Sequence, residues 1–277
     1  MTANQAIDLV GLRPLMERGL GSPAIAIGLI DGPVSICHPS LARIPTVLGR
    51  AQTCEASGLA CAHGTFVAGI LVASRGAFAP GICPGCTLLV RPIFSDRSLD
   101  STPETVGEAI RDCIRAGAKI INLSLTLLHS STQGERAVLD AIDTAASRGV
   151  IIVAAAGNQG TLSSTAITRH PWVIPVVACD LSGKPSARTN LGASIGRGGL
   201  RAPGVGIHSL GPDGASLTLD GTSAAAPFVS AAIALLWSEF PSASASKIRL
   251  AILRSAVRRT SVTPLMLDAW QSLMLLH

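Results

Sequence analysis

Short runs of continuous small and apolar residues recur along the chain, each ended by a polar or glycine-rich break. The first, Ala24 to Ile30 (A-I-A-I-G-L-I), has no polar face and reads as a strand buried on both sides. It stops at Asp31-Gly32-Pro33. Leu88 to Ile93, Lys119 to Leu123, Val150 to Ala156 and Val173 to Ala178 repeat the pattern. Between them, apolar residues fall at helical spacing over Ala62 to Leu71, Pro103 to Gly117 and Glu135 to Gly149, and again from Phe228 to Trp237. Ile7 to Arg18 reads as a further helix, closed by Gly19 and Gly21. Residues 38–62 and Ser186 to Pro203 read as largely irregular. Strands alternating with helices predict an α/β fold: a mostly parallel central sheet with helices on both faces. No repeat and no interior linker is visible, so we expect an N-terminal helical extension over 1–22 and one domain over 23–277. The apolar tail Pro264 to Leu276 predicts a last helix packed on the body, with a partner surface as the other reading.

Composition narrows the class. The chain has 277 residues, 48% hydrophobic and only 14% charged, so it can bury a large core. The net charge is +5, but no basic run is interleaved with aromatic residues, which make up 3% of the chain. Nucleic-acid binding is therefore not expected. Arg254, Arg258 and Arg259 read as a solvated helix face. No run approaches the roughly 18 apolar residues of a membrane helix, so no membrane partner is expected. No signal peptide is visible, and a cytoplasmic location with reduced thiols follows as the expectation. Seven cysteines leave at least one unpaired in a monomer. Cys83-Pro84-Gly85-Cys86 has the spacing of a redox or metal pair. A zinc site wants a second pair and none is present, leaving a disulfide or plain thiols.

Four polar residues stand at the edges of apolar elements. Asp31 ends a strand, where open α/β sheets place their sites, or simply starts a turn. His63 lies in what reads as the first helical turn, where the dipole favours a neutral imidazole suited to a general base; a structural His is the plainer reading. Asn158 follows the strand 150–156. Ser223 lies where a glycine-flanked turn enters a buried helix, beside free backbone N–H groups. It reads either as an N-cap or as a nucleophile. Together the four make an inventory for acyl transfer: carboxylate, base, oxyanion donor and nucleophile.

Here spacing becomes specific. I-D-G at 30–32, H-G-T-F-V-A-G at 63–69, I-N-L-S at 121–124, A-A-A-G-N at 154–158, A-P-G-V at 202–205 and G-T-S-A-A-A-P at 221–227 resemble the subtilisin-like (S8) serine peptidases over about residues 24–256. The order Asp, His, Ser is that of subtilisin. D-G-P-V at 31–34 and P-I-F-S-D at 92–96 are similar to the PatA-type peptidases, which remove leader peptides from ribosomal precursor peptides. The resemblance implies a serine endopeptidase acting through an acyl-enzyme. Ser223 is its nucleophile, His63 its base, Asp31 the residue orienting the base, and Asn158 the oxyanion donor. An extended peptide would lie between Ser124, Leu125 and Thr126 on one side and Ala155, Ala156 and Gly157 on the other.

The departures carry expectations of their own. The family has glycines after the substrate-lining serine, where this chain has Leu125-Thr126-Leu127. A Thr side chain there should favour a small residue before the cleaved bond. Ser74 to Pro84 contains no Asp, Glu or Asn, so the calcium loop of secreted members is not expected, and neither a metal nor a cofactor is implied. Cys61 reads as a thiol beside the site without a catalytic role. Two rival functions stay open: a catalytically silent peptide-binding module, and an esterase or transpeptidase on the same scaffold. The oligomeric state is not legible.

Overall fold

The computed structural model describes residues 3–49, 54, 58–95, 101–125, 132–254 and 261–277. Two short helices come first, α1 (Ala3–Leu9) and α2 (Arg13–Arg18). Then follow β1 (Ala26–Asp31), β2 (Thr46–Val47), α3 (Leu59–Val72), β3 (Thr87–Pro92), α4 (Pro103–Arg115), β4 (Ile120–Leu123) and α5 (Thr132–Ser147). Next come β5 (Ile151–Ala155), α6 (Ala166–Arg169), β6 (Val173–Cys179), α7 (Ala193–Gly198) and β7 (Leu200–Pro203). The chain ends with β8 (Ile207–Leu210), β9 (Ser216–Leu219), α8 (Thr222–Glu239), α9 (Ala245–Arg254), β10 (Leu265–Met266) and α10 (Ala269–Met274).

Eight strands form one sheet in the order β10-β7-β6-β5-β4-β1-β3-β2. Every pairing in it is parallel. The strand order reverses about β1: the chain goes from β1 to β3 on one side, then crosses through α4 to β4 on the other. Such a reversal opens a crevice at the C-terminal strand ends. Alternate residues of each strand serve opposite faces, which is why the strands read as unbroken apolar runs. Ile27 and Leu29 join a core with α3 and α8, whereas Ile30, Ile121 and Leu123 join a second core with α4 and α5. Helix α8 is buried almost all round, Thr222 and Ala224 to Trp237 included, as a helix apolar on every side must be. Among the described residues no helix is long and apolar enough to cross a membrane.

Four expectations change. The helix over 7–18 is two helices, because Pro14 cannot continue one and instead opens α2. Their apolar side chains, Ile7 and Leu15 among them, lie in the same core as α3 and α8. The stretch 38–62 holds β2 and the start of α3, and 186–203 holds α7 and β7, hidden in the sequence by glycines at 192, 196, 198 and 199. The tail forms an edge strand and a short helix rather than one helix. Arg258 and Arg259 fall outside the described residues.

Candidate active site

Asp31 is the last residue of β1 and is fully buried. His63 lies in the second turn of α3 rather than the first, since that helix begins at Leu59. A helical side chain leans back toward its own N-terminus, and here that direction takes the imidazole to β1. The two backbones meet closely. A Cβ at Gly32 would lie 2.1 Å from the Ala60 carbonyl oxygen, and one at Gly64 would lie 2.3 Å from that of Pro33. Both positions therefore demand glycine. His63 Nδ1 is 2.7 Å from Asp31 Oδ1, which also accepts the Gly32 N–H at 2.6 Å. Asp31 Oδ2 is buried with no hydrogen-bond partner among the described residues.

His63 Nε2 is 3.0 Å from Ser223 Oγ. Helix α8 begins at Thr222, its N-cap is Gly221, and no side chain caps it. The hydroxyl of Ser223 faces the imidazole, so the N-cap reading of Ser223 is set aside. Gly221 has φ of 128°, outside the range comfortable for a side chain, and a Cβ there would lie 2.9 Å from Asn158 Nδ2, so the asparagine would have to shift. Asn158 Oδ1 accepts from the Thr222 backbone N–H at 2.9 Å and from its hydroxyl at 3.2 Å. With Oδ1 held, the N–H end of the amide makes no hydrogen bond to a described group. The Thr222 hydroxyl oxygen also accepts the Gly157 N–H at 3.1 Å.

Burial of His63 opposes its charged form, but the negative charge of Asp31 and its hydrogen bond outweigh this and raise the imidazole pKa above the ordinary 6.5. That reverses the direction expected from a helix dipole. The side chain keeps 29% of its surface exposed, so it can reach a ligand in the cleft.

Ser124 follows β4 directly and is buried, with Oγ accepting from Asn122 Nδ2 at 2.7 Å. Leu125 is buried in the α4–α5 core, so only its backbone can line a cleft. Thr126 lies outside the described residues. Ala155 ends β5, and Ala156 and Gly157 continue it toward Asn158, all three buried. Cys61 is paired with Cys54, their Cα atoms 5.1 Å apart, so it is not the free thiol expected beside the site. Cys83 and Cys86 are free and buried. Sequence reasoning missed Thr222, Gly32 and Gly64 as site-building residues. The motifs G-T-S, D-G and H-G already contained them, but their roles depend on which backbones approach in space.

Comparisons with known proteins bear on the chain as a whole. The family model described as Peptidase_S8, the subtilase family, matches residues 24–271. Over 256 residues the chain is 29% identical to Subtilisin DY of Bacillus licheniformis, covering 90% of this chain and 89% of that one. A mutant of the protease domain of PatA superposes with a TM-score of 0.86 at 32% identity, over 92% of this chain and 96% of that domain. Prenylagaramide maturation protease PagA superposes with a TM-score of 0.86 at 29% identity, over 96% of this chain and 98% of that one.

Proposed function

The chain belongs to the subtilase family, and from that premise we propose that it is a serine endopeptidase that processes a precursor peptide. One observation carries the reading: Asp31, His63 and Ser223 stand in a hydrogen-bonded line of 2.7 and 3.0 Å. In this mechanism Ser223 Oγ attacks the scissile carbonyl while His63 Nε2 takes its proton. The attack produces a tetrahedral oxyanion beside the Asn158 amide and the Ser223 backbone N–H, at the N-terminus of α8, where the helix dipole favours negative charge. His63 then gives its proton to the leaving amine, and the acyl-enzyme forms. Water, activated by the same imidazole, releases the acid. Asp31 keeps the proton of neutral His63 on Nδ1, leaving Nε2 free to accept, and stabilises the imidazolium.

An extended peptide would run between the backbone after β4 and the 155–157 segment. Residues 23–277 make the peptidase body and 1–22 an extension built into its core. Precursor processing is supported by the likeness to PatA and PagA, the latter a maturation protease by its description. The reaction as proposed uses no cofactor. Incubating the purified protein with candidate precursor peptides and weighing the products tests the proposal. Linear fragments cut at one bond support it. Intact precursor throughout, or cyclic products, contradict it.

A further inference from the structure

Pro227 lies inside α8, four residues after Ser223. In a regular helix the residue four places on donates its N–H to the carbonyl, and proline has none to give. The Ser223 carbonyl is thereby left out of the helical ladder. A hydroxyl from elsewhere in the fold reaches it. Ser124 Oγ donates to that carbonyl at 3.5 Å, at the long end of hydrogen-bond range. Ser124 Oγ in turn accepts from Asn122 Nδ2 at 2.7 Å, and Asn122 Oδ1 accepts from Ser230 Oγ at 2.8 Å. Ser230 is seven residues along α8 from Ser223, hence on the same face of the helix. Both Ser230 and Asn122 are fully buried.

We propose that Ser230 is a positioning residue: through Asn122 and Ser124 it supplies a chain of hydrogen bonds to the Ser223 carbonyl that Pro227 leaves without a helical donor. The chain closes a ring. It leaves α8 at Ser230, crosses to the end of β4, and returns to α8 at Ser223. Ser124 opens the segment proposed to lie against the substrate, so the ring fixes the distance between that segment and the nucleophile. Every donor in it points the same way, which lets each bond polarise the next. Asn122 has both ends of its amide occupied, so losing Ser230 frees its oxygen and lets the amide turn. Ser124 then loses its fixed donor. The effect should fall on peptides, which must be held along that segment, and hardly on a small ester that meets only Ser223 and its proton acceptor.

This rests on the serine-peptidase reading, and the test separates the two. Hydrolysis of an extended peptide anilide and of p-nitrophenyl acetate is compared in wild type, Ser230→Ala, Asn122→Ala and the double variant. A misplacement of the kind expected lowers the peptide-to-ester ratio of kcat/KM about tenfold in Ser230→Ala, mainly through kcat. The double variant should be no worse than Asn122→Ala alone, because both act through one chain. Ser230→Cys, similar in size with a weaker donor, should fall between wild type and Ser230→Ala. It also carries the test if the alanine variant does not fold. An unchanged ratio, equal losses on both substrates, or additive losses would overturn the proposal. A wild type that does not react with a fluorophosphonate overturns the serine reading instead.

Discussion

The two halves of the Asp31–His63–Ser223 line are built on different physics. On the Asp31–His63 side, steric interlock sets the geometry. Two backbones are pressed together where only glycine fits, and one carboxylate oxygen is left unpartnered among the described residues. On the Ser223–Asn158 side, hydrogen bonds set it. Thr222 holds the asparagine by two bonds and Gly157 by a third. Interlock tolerates no added atom, whereas a hydrogen-bonded frame can lose a bond and keep its shape. The first half should therefore fail abruptly on substitution and the second in steps.

The largest effect is expected at Gly64. Its Cβ would meet the Pro33 and Gly32 carbonyl oxygens at 2.3 and 2.6 Å, and both are backbone atoms that cannot swing away. Gly64→Ala should cost more than the roughly 1–3 kcal/mol of ordinary overpacking, and abolish peptidase activity. A thermal melt and a peptide assay check this, and a near-native variant would break the contrast. On the other side, Asn158→Ala should keep the fold and lower kcat by about 10²–10³. Thr222→Val should lower it only about tenfold, since the backbone N–H still holds Asn158.

The pH profile sharpens the comparison further. The acting form of His63 is neutral, so kcat/KM should climb with pH through an inflection above the ordinary 6.5, set by the Asp31 charge winning over burial. Asp31→Asn removes that charge and leaves burial, so any residual activity should show its inflection below 6.5, with kcat down by about 10⁴. The sign for stability is the reverse of that for activity. A pKa raised by folding stabilises fully below the unfolded value and loses that contribution as pH rises through the folded one. An unmoved inflection in Asp31→Asn would contradict the electrostatic half of this account.

The smallest effects lie away from both halves. Chelator should change activity by less than about twofold, because Ser74 to Pro84 carries no carboxylate. Loss restored by calcium would contradict this. Mass spectrometry of the unreduced protein should find Cys54 and Cys61 linked.

Much of this was legible in the sequence, for physical reasons. Parallel strands covered on both faces must be apolar throughout, so β1, β3, β4, β5 and β6 could be found within about two residues at either end. The polar residue closing β1 stood out for the same reason. What escaped depended on space rather than pattern. The β8–β9 hairpin did carry a turn signal, Pro212-Asp213-Gly214, but its four-residue strands are too short to show a pattern of their own, and glycines mask α7 and β7. Pro14 was present in a helical pattern and passed over. Cys54 and Cys61 gave no sign of pairing seven residues apart. The steric demand at Gly32, and the carboxylate oxygen beside it that has no partner among the described residues, appear only when α3 is laid on β1.

The central claim is that Ser223 is made nucleophilic by His63. The direct test is reaction with a fluorophosphonate, followed by mass mapping of the adduct and its rate. The account predicts a single adduct on Ser223, formed rapidly in wild type, at least about 10³-fold more slowly in His63→Ala, and not at all in Ser223→Ala. An adduct on another residue, or one on Ser223 whose rate ignores the loss of His63, would contradict it.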